Sequence, residues 1–168
     1  NYVRALQHGL ERLEELPVCL RLVRELHGKL LEGVRGEEER PGEFRAVQNY
    51  ILRLGEPLER VRFVPPPPAE MDQALRDLES YLNSPDDTPW LVRIALGHYQ
   101  FEAIHPFRDG NGRVGRLLIP LLMCAHGLLC RPLLYLSAYF EKNRQAYYDG
   151  LLNVSRSGAW QGWVEFFL

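Results

Sequence analysis

The stretch from His105 to Arg116 constrains the fold most, because it joins two long segments whose apolar residues recur with helical spacing. Downstream of it, apolar residues from Val114 to Ala125 recur at i, i+3, i+4, i+7, i+8 and i+11, which predicts a helix beginning near Gly112. Upstream, Thr88 and Pro89 match the N-cap and first position of a helix that runs towards the stretch. The sequence therefore predicts a polar, glycine-rich loop held between two helices.

The residue types in this loop suit the binding of phosphate. Gly110 and Gly112 lie at the N-terminus of the predicted helix, where backbone N–H groups and the helix dipole attract anions and glycine permits close approach. Arg113 and Arg116 are three residues apart, project to one side and can each pair bidentately with phosphate oxygens. Asp109 is a single carboxylate, which suits Mg²⁺ because this ion also takes oxygens from phosphates. The loop is thus predicted to bind a magnesium-bound polyphosphate.

His105 is the candidate base of the loop. An unperturbed imidazole has a pKa near 6.5, so a neutral histidine accepts a proton from an incoming hydroxyl at about pH 7. A base, a metal ligand, an anion site and an arginine clamp are together the groups that in-line attack on phosphorus requires. These residues leave the sugar and the base of the nucleotide unspecified.

Taken one at a time, these residues have ordinary structural explanations, because Gly-Asn-Gly is a common turn and arginines in a first helical turn are usually solvated. Their joint pattern resembles the signature of the Fic family, HxFx(D/E)GNGRxxR, at every fixed position from His105 to Arg116. Similarity to the family extends to residues 41–45 with Gln48, to residues 61–68 and to residues 143–148. The resemblance thus covers nearly the whole chain.

This resemblance implies the fold of the chain. We expect an all-α protein, a Fic-type helical bundle with a short β-hairpin flap. A single Fic domain is expected over residues 1–168, with a helical hairpin over residues 1–40 and the Fic core over residues 41–168. In this family the backbone of the flap holds the target peptide by strand addition, and the corresponding residues here are Val61, Arg62, Phe63 and Val64.

The resemblance also implies an activity, the transfer of a nucleoside monophosphate, usually AMP from ATP, to a Ser, Thr or Tyr hydroxyl of a target protein. It assigns His105 as the general base and Asp109 as the ligand of Mg²⁺. The triphosphate is expected on the loop and the first turn of the helix, at Gly110, Asn111, Gly112, Arg113 and Arg116. Three residues are expected near the nucleobase, namely Asn143, Tyr147 and Tyr148.

Two alternative functions stay open at this point. Members of the family with altered motifs move phosphate or phosphocholine, so the transfer of another nucleotide or of a phosphate group is one alternative. The other is a module that binds a nucleotide or a partner without turnover. The presence of both His105 and Asp109 favours the enzyme.

Charge and composition limit the binding partners and the cellular compartment that we expect. The formal net charge of -2 gives no electrostatic reason to expect nucleic acid or an anionic membrane as a partner. Three cysteines, an odd number, suit a reducing compartment, and the chain has neither a signal peptide nor 18 consecutive apolar residues. We therefore expect a cytoplasmic protein, or one delivered by a signal outside this segment. The chain begins without Met, which suggests an excised core, and a homodimer stays open.

Many Fic proteins carry an inhibitory helix, [S/T]xxxE[G/N], whose glutamate pairs with the second arginine of the motif. The nearest match is Glu32-Gly33, but the position four residues before the glutamate is Gly28. We interpret Gly33 as the cap of a helix. The inhibitor is therefore expected upstream of Asn1 or in a separate protein.

The rest of the sequence predicts further helices and one short paired arm. Residues 44–52 and 59–64 are the predicted arm, and the prolines at 65–68 are a stiff spacer behind it. The predicted helices are one from Val3 to Leu13, one with Pro17 in its first turn, one from Met71 to Leu82, one from Ser137 to Gly158 and a last one from Trp160.

Overall fold

The computed structural model describes residues 1–34, 36, 38–52, 57, 59, 61–132 and 136–168. The predicted all-α fold is confirmed in these residues. Strand pairing in the described ranges is limited to one antiparallel bridge, between Ile51 and Phe63. The helices in chain order are α1 (Tyr2–Leu13), α2 (Leu20–Leu31), α3 (Pro68–Asn83), α4 (Trp90–Ile104), α5 (Asn111–Ala125), α6 (Leu136–Lys142), α7 (Arg144–Ser157) and α8 (Trp160–Phe167).

Helix α5 lies at the centre of the fold. Its residues 117–123 are all buried, which is typical of a helix that is apolar all round. The hairpin of α1 and α2 packs against α5, and α4 packs against it as well. Helices α3, α7 and α8 cover α4, and the buried indole of Trp163 in α8 donates a 2.8 Å hydrogen bond to the Ala95 carbonyl. The loop between α4 and α5 is therefore anchored at both ends in the core.

Two helix starts differ from the predictions. Pro17 was expected in the first turn of α2, but α2 begins at Leu20. The expected N-cap Thr88 is also wrong, because Pro89 caps α4 and has an extended backbone with ψ 135°. The hydroxyl of Thr88 instead donates to Asp86 Oδ1 at 2.8 Å, so it closes the preceding turn. Both differences arise because proline fits just outside a helix as well as in its first turn.

The single helix predicted over residues 137–158 is interrupted. Asn143 leaves the helical conformation with φ -107° and ψ 31°, which separates α6 from α7. Its side-chain amide donates to the Tyr139 carbonyl at 3.0 Å, a local hydrogen bond that competes with continuation of the helix. The predicted end at Gly158 is confirmed by its left-handed φ of 66°.

No helix within the described ranges is long and apolar enough to cross a lipid bilayer.

Candidate active site

The backbone of the loop between α4 and α5 is left-handed at both ends. His105 follows α4 with φ 51° and ψ 60°, and Gly110 precedes α5 with φ 83°. Glycine adopts this conformation without cost, whereas a residue with a Cβ loses roughly 1–2 kcal/mol. Strain of this kind persists only where the surrounding contacts impose it, and it is concentrated at functional sites.

Arg45 imposes the conformation of His105. Its side chain is 3 % exposed, and its guanidinium donates to the carbonyl of His105 at 2.9 Å and to that of Ile104 at 3.3 Å. The backbone N–H of Arg45 donates to the Pro106 carbonyl at 2.8 Å. A further hydrogen bond of 2.5 Å reaches the Pro66 carbonyl. One buried cation therefore joins the loop to the segment before α3.

Asn111 closes the loop from inside. Its side chain accepts a hydrogen bond from the Phe107 N–H and donates one to the Phe107 carbonyl, both at 2.8 Å. Asn111 is 2 % exposed, and its side-chain amide is used in these hydrogen bonds within the loop. Its backbone N–H belongs to the first turn of α5. The ring of Phe107 is completely buried and stacks on His27 with 3.7 Å between centroids, so it anchors the loop in the core.

His27 supports the loop from α2, a role that was not predicted, because no local pattern distinguishes this histidine within a regular helix. Its Nδ1 accepts from the Gly42 N–H at 2.8 Å, so its Nε2 carries the proton and donates to the Asp109 carbonyl at 3.0 Å. Burial lowers the pKa of His27, which keeps the ring in this neutral tautomer.

The tautomer of His105 follows from its own contact. Its Nδ1 lies 3.3 Å from the Glu102 carbonyl, which can only accept, so Nδ1 carries the proton and Nε2 keeps a lone pair. Burial lowers the pKa of His105 to about 4; the Glu102 carbonyl and Asp109 oppose this shift, while Arg45 adds to it. The imidazole is therefore neutral at pH 7 and able to accept a proton.

A cavity of about 710 Å³ opens beside His105, a size typical of small-ligand sites. Its walls come from the segment around the β-bridge, from α4, from the first turns of α5 and from α7. The predicted site residues that line it are Arg62, Phe63, His105, Gly112, Arg116, Tyr147 and Tyr148. One part of the lining is mainly apolar and comprises Tyr99, Ala103, Leu151 and Leu152.

The sequence model of the Fic/DOC family matches residues 17–123 of this chain. The chain belongs to the Fic/DOC family. It is 30% identical over 156 residues to the protein adenylyltransferase Fic of Drosophila grimshawi, with 92% of this chain and 29% of that protein covered. Identity to the protein of the same name from Aedes aegypti is 32% over 152 residues, with 89% of this chain and 27% of that protein covered.

The fold agrees with this membership. A Fic family protein from Desulfovibrio desulfuricans G20 superimposes with a TM-score of 0.80 at 26% identity, over 99% of this chain and 49% of that chain. The present chain spans less than a third of the length of the two named adenylyltransferases. The similarity therefore concerns their Fic part.

Two residues of the Fic motif lie outside the cavity lining and pair with each other. The guanidinium of Arg113 is 3.4 Å from the Asp109 carboxylate, and both side chains are about one-third exposed (34 % and 36 %). The other Asp109 oxygen accepts from the Gly110 N–H at 2.6 Å, so this N–H, expected at a phosphate, is directed to Asp109. No group of three or more His, Cys, Asp and Glu side chains in the described ranges could hold a metal ion. A lone carboxylate such as that of Asp109 is a donor type that Mg²⁺ accepts when its other ligands are phosphate oxygens and waters.

Five other expected site residues of this Fic domain also lie outside the cavity lining, namely Gly110, Asn111, Asn143, Val61 and Val64. Asn143 donates its amide to Tyr139 and connects α6 to α7. Val61 and Val64 flank the lining residues Arg62 and Phe63, and Val64 is 53% exposed. In the segment of the predicted flap the structure has one bridge, in which the Ile51 N–H donates to the Phe63 carbonyl at 3.0 Å and the Arg62 N–H donates to the Ile51 carbonyl at 3.0 Å. Residues 53–56 and 58, between the two halves of the predicted arm, and residue 60 within it lie outside the described residues.

A buried polar cluster behind the cavity was not predicted. His98 lies 2.9 Å from the Tyr147 hydroxyl through Nε2 and 3.2 Å from the Gly115 carbonyl through Nδ1. Burial lowers the pKa of His98 to about 3 and raises that of Tyr147 well above its ordinary value, so both groups are neutral. Tyr147 was expected near the nucleobase, yet its hydroxyl is directed to this cluster.

Glu102 is an acidic residue of the cavity lining that was also missed. One oxygen, Oε1, is buried without a hydrogen-bond partner, and burial raises the pKa of this carboxyl to about 7 against the opposing effect of Arg116. A Cβ atom on Gly115 would overlap Oε1, so a glycine is needed where α5 crosses Glu102. The sequence signal was an acidic residue in an otherwise apolar turn, three residues before His105.

Proposed function

We propose that this chain is the catalytic domain of a protein adenylyltransferase, which transfers AMP from ATP to a Ser, Thr or Tyr hydroxyl of a target protein. The observation that carries the proposal is a neutral, half-buried His105 that lines one cavity with Gly112 and Arg116. The adenylyltransferase names of the relatives from Drosophila grimshawi and Aedes aegypti support the choice of reaction.

His105 acts as the general base in this proposal. The target hydroxyl oxygen attacks the alpha phosphorus while Nε2 of His105 takes the hydroxyl proton. The bond between the alpha phosphorus and its bridging oxygen breaks, and pyrophosphate leaves with the bonding electron pair. The Nδ1–H contact with the Glu102 carbonyl fixes the ring so that the lone pair, and not the proton, is available.

The triphosphate binds at the N-terminus of α5. The first N–H groups of a helix lack acceptors within it, and the dipole favours an anion there. Arg116 reaches the cavity and pairs with a terminal phosphate, while Arg113 and Asp109 lie beside it. Asp109 would hold Mg²⁺, which neutralises charge on the phosphate oxygens when bound.

The nucleoside occupies the apolar part of the cavity, between α4 and α7. Tyr99 and Leu151 contribute an aromatic ring and an aliphatic side chain to the lining, and predominantly apolar linings of this kind are typical of small-ligand sites. The backbone of residues 61–64 presents an edge beside the bridge to Ile51, and an extended target peptide would add to it as a further strand. ATP and a target protein with an accessible hydroxyl are the partners that the reaction requires.

Regulation by an inhibitory glutamate is proposed to lie outside the described residues. Glu32, the nearest sequence match, is exposed, and its carboxylate lies 3.9 Å from Arg4. Gly33 has a left-handed φ of 66°, as expected for a residue that ends a helix. Glu32 is therefore directed to Arg4 in α1 and is not proposed as the inhibitor of Arg116.

The position of the transferred label tests the reaction. The protein is incubated with Mg²⁺, lysate proteins and ATP labelled on either the alpha or the gamma phosphate. Adenylyl transfer places the alpha label on protein and releases the gamma label. Transfer of the gamma label would establish phosphotransfer instead. Binding of ATP with neither label on protein would identify a module without turnover.

A further inference from the structure

The backbone of Gly112 does not require glycine. Gly112 is the second residue of α5 and has the right-handed conformation of that helix, whereas Gly110 before it has a left-handed φ of 83°. Alanine is the better helix former at such a position, because glycine loses more backbone entropy when it is ordered. The reason for a glycine at position 112 therefore lies in what occupies the space beside it.

The guanidinium of Arg116 occupies that space. A Cβ atom on Gly112 would lie 2.9 Å from Nη1 of Arg116 and 3.6 Å from both its Cζ and its Nη2. Apart from the backbone of the same helix, these guanidinium atoms are the nearest that such a Cβ would meet in the described residues. A side chain at position 112 would therefore conflict first with the end of a long, flexible side chain, which can move away.

The spacing of the two residues explains the contact. Residues four apart lie on one face of a helix, and side chains lean towards the N-terminus of their helix. Arg116 thus reaches back over the first turn of α5, and it lines the cavity together with Gly112 and His105. The first N–H groups of a helix lack acceptors within it and form its positive end. The guanidinium therefore lies beside the N–H groups that attract an anion, and a bound anion relieves the repulsion between these two positive groups.

We propose that Gly112 is a positioning residue for Arg116, because the absence of a side chain at position 112 lets the guanidinium lie over the first turn of α5, where it and the helix N–H groups bind the same phosphate. The proposal rests on the proposed function in one respect, that the anion is the polyphosphate of a nucleotide. A methyl group at position 112 displaces the guanidinium but leaves the helix and the core in place. The phosphate then keeps the N–H groups and loses the arginine.

Close approach of the phosphate to the backbone is the other reason for which a glycine could be needed here. The two reasons make different predictions for a methyl group at position 112. If the methyl group acts by moving Arg116, it has no effect once the arginine side chain is removed. If it obstructs the phosphate directly, it weakens binding by the same factor with and without the arginine. A double-mutant cycle of Gly112→Ala and Arg116→Ala separates the two.

Calorimetric titration with α,β-methylene-ATP and Mg²⁺ gives the Kd of each protein in the cycle, because this analogue cannot transfer its adenylyl group. We expect Gly112→Ala to weaken binding by about tenfold, the factor that the loss of one hydrogen bond to a charged group brings. Arg116→Ala should weaken binding at least as much, and the double variant should bind like Arg116→Ala alone. An unchanged affinity of Gly112→Ala, or an equal loss in both backgrounds, would overturn the proposal.

Urea unfolding distinguishes a positioning role from a structural one. Gly112→Ala should unfold at the same urea concentration as the parent or at a higher one, since alanine favours the helix. Gly162→Ala is a matched control, because Gly162 lies within α8, outside the cavity lining, and no described atom lies within 4 Å of where its Cβ would be. This control should bind the analogue like the parent. A loss of stability in Gly112→Ala that accompanies its loss of affinity would assign the effect to packing and refute the positioning role.

A ligand-free experiment separates this inference from the proposed function. In NMR spectra of the parent, the Hα protons of Gly112 should show a nuclear Overhauser effect to the guanidinium protons of Arg116. The Nε–H signal of Arg116 should shift in Gly112→Ala and stay in place in Gly162→Ala. If the Overhauser effect is absent or the signal does not shift, the placement of the guanidinium is wrong whatever the enzyme does. If both are observed but the parent binds no ATP analogue, the proposed function fails while the placement of Arg116 stands.

Discussion

His105 owes its suitability as a base to backbone contacts more than to neighbouring side-chain charges. The buried guanidinium of Arg45 fixes its left-handed backbone, and the Glu102 carbonyl fixes its tautomer. Burial lowers its pKa to about 4, so it stays neutral across the physiological pH range. A base with a pKa this far below 7 is weak in water, but in the proposed reaction it acts on a hydroxyl already held against it.

Replacement of His105 by alanine tests the base at this scale. We expect the rate of adenylyl transfer to fall by about 100-fold to 10,000-fold while ATP binding stays close to that of the parent. Initial rates at saturating ATP test the expected loss of transfer, and a separate Kd measurement tests the unchanged binding of ATP. An unchanged rate would exclude His105 as the base, and a lost affinity would assign it to binding.

Asp109→Asn tests the metal ligand. The only carboxylate of the motif is lost, so activity should require a much higher Mg²⁺ concentration and recover in part when the metal is raised. Activity is measured as a function of Mg²⁺ concentration for the parent and for Asp109→Asn, and the two curves are compared. Glu39→Gln is a suitable control, because this surface carboxylate lies 2.6 Å from Arg108 of the same loop. Overlapping curves for Asp109→Asn and the parent would remove Asp109 from the metal site.

At the scale of the elements, the site depends on the close crossing of α4 and α5. Gly115 lies where the two helices meet, and a Cβ atom there would be 3.2 Å from both His98 Cε1 and Phe101 Cδ1, with Glu102 Oε1 closer still. These neighbours are buried and part of the core, so they cannot all move aside. The spacing of the two helices that bear His105 and Arg116 is thus set by a residue without a side chain.

Gly115→Ala should therefore lower the free energy of unfolding by about 1–3 kcal/mol and reduce activity, since overpacking displaces Glu102. Urea unfolding measures the stability. Gly28→Ala is a matched control, because Gly28 lies within α2 with open space around it, and alanine should stabilise that helix by up to about 1 kcal/mol. In the double variant that combines Gly115→Ala with Glu102→Ala, the clashing Glu102 side chain is removed, so part of the lost stability should return. Equal stability of Gly115→Ala and the parent would show that the crossing is not tight.

The positions of most helices were predictable from the sequence, whereas the contacts between residues far apart in the chain were not. Periodicity is a local property, so the pattern after Val114 located α5 to within a few residues. The start of α2 and the break at Asn143 were missed, because proline and asparagine are compatible with several positions at helix ends. Arg45 and His27 act on the loop across 60 and 82 positions of the chain, and no local pattern carries such contacts.

For the whole molecule, the N-terminal hairpin and the Fic core form one structure around the loop. His27 of α2 contributes a hydrogen bond to Asp109 and a stacked ring beneath Phe107. Both α1 and α2 pack against α5, which carries Gly112 and Arg116. Residues on both sides of the predicted division at residue 40 therefore support the loop.

The free energy of unfolding of the whole molecule should depend on pH through the titration of Glu102. Its pKa is about 7 in the folded state against an ordinary value of 4.5, so the folded state binds more protons than the unfolded state between these values. The contribution of this group is therefore fully present below pH 4.5 and is lost as the pH rises through 7, an upper bound of about 3 kcal/mol. Glu102→Gln stays neutral and avoids this loss.

Urea unfolding of the parent and Glu102→Gln at pH 4.5, 6 and 8 checks this prediction. His27, His98 and His105 have lowered pKa values in the folded state, so they reduce stability on the acid side, but equally in both proteins. The difference between variant and parent isolates Glu102, and it should move in favour of Glu102→Gln as the pH rises. If the difference is independent of pH, Glu102 titrates at its ordinary value, and the buried carboxyl must be charged throughout the physiological range.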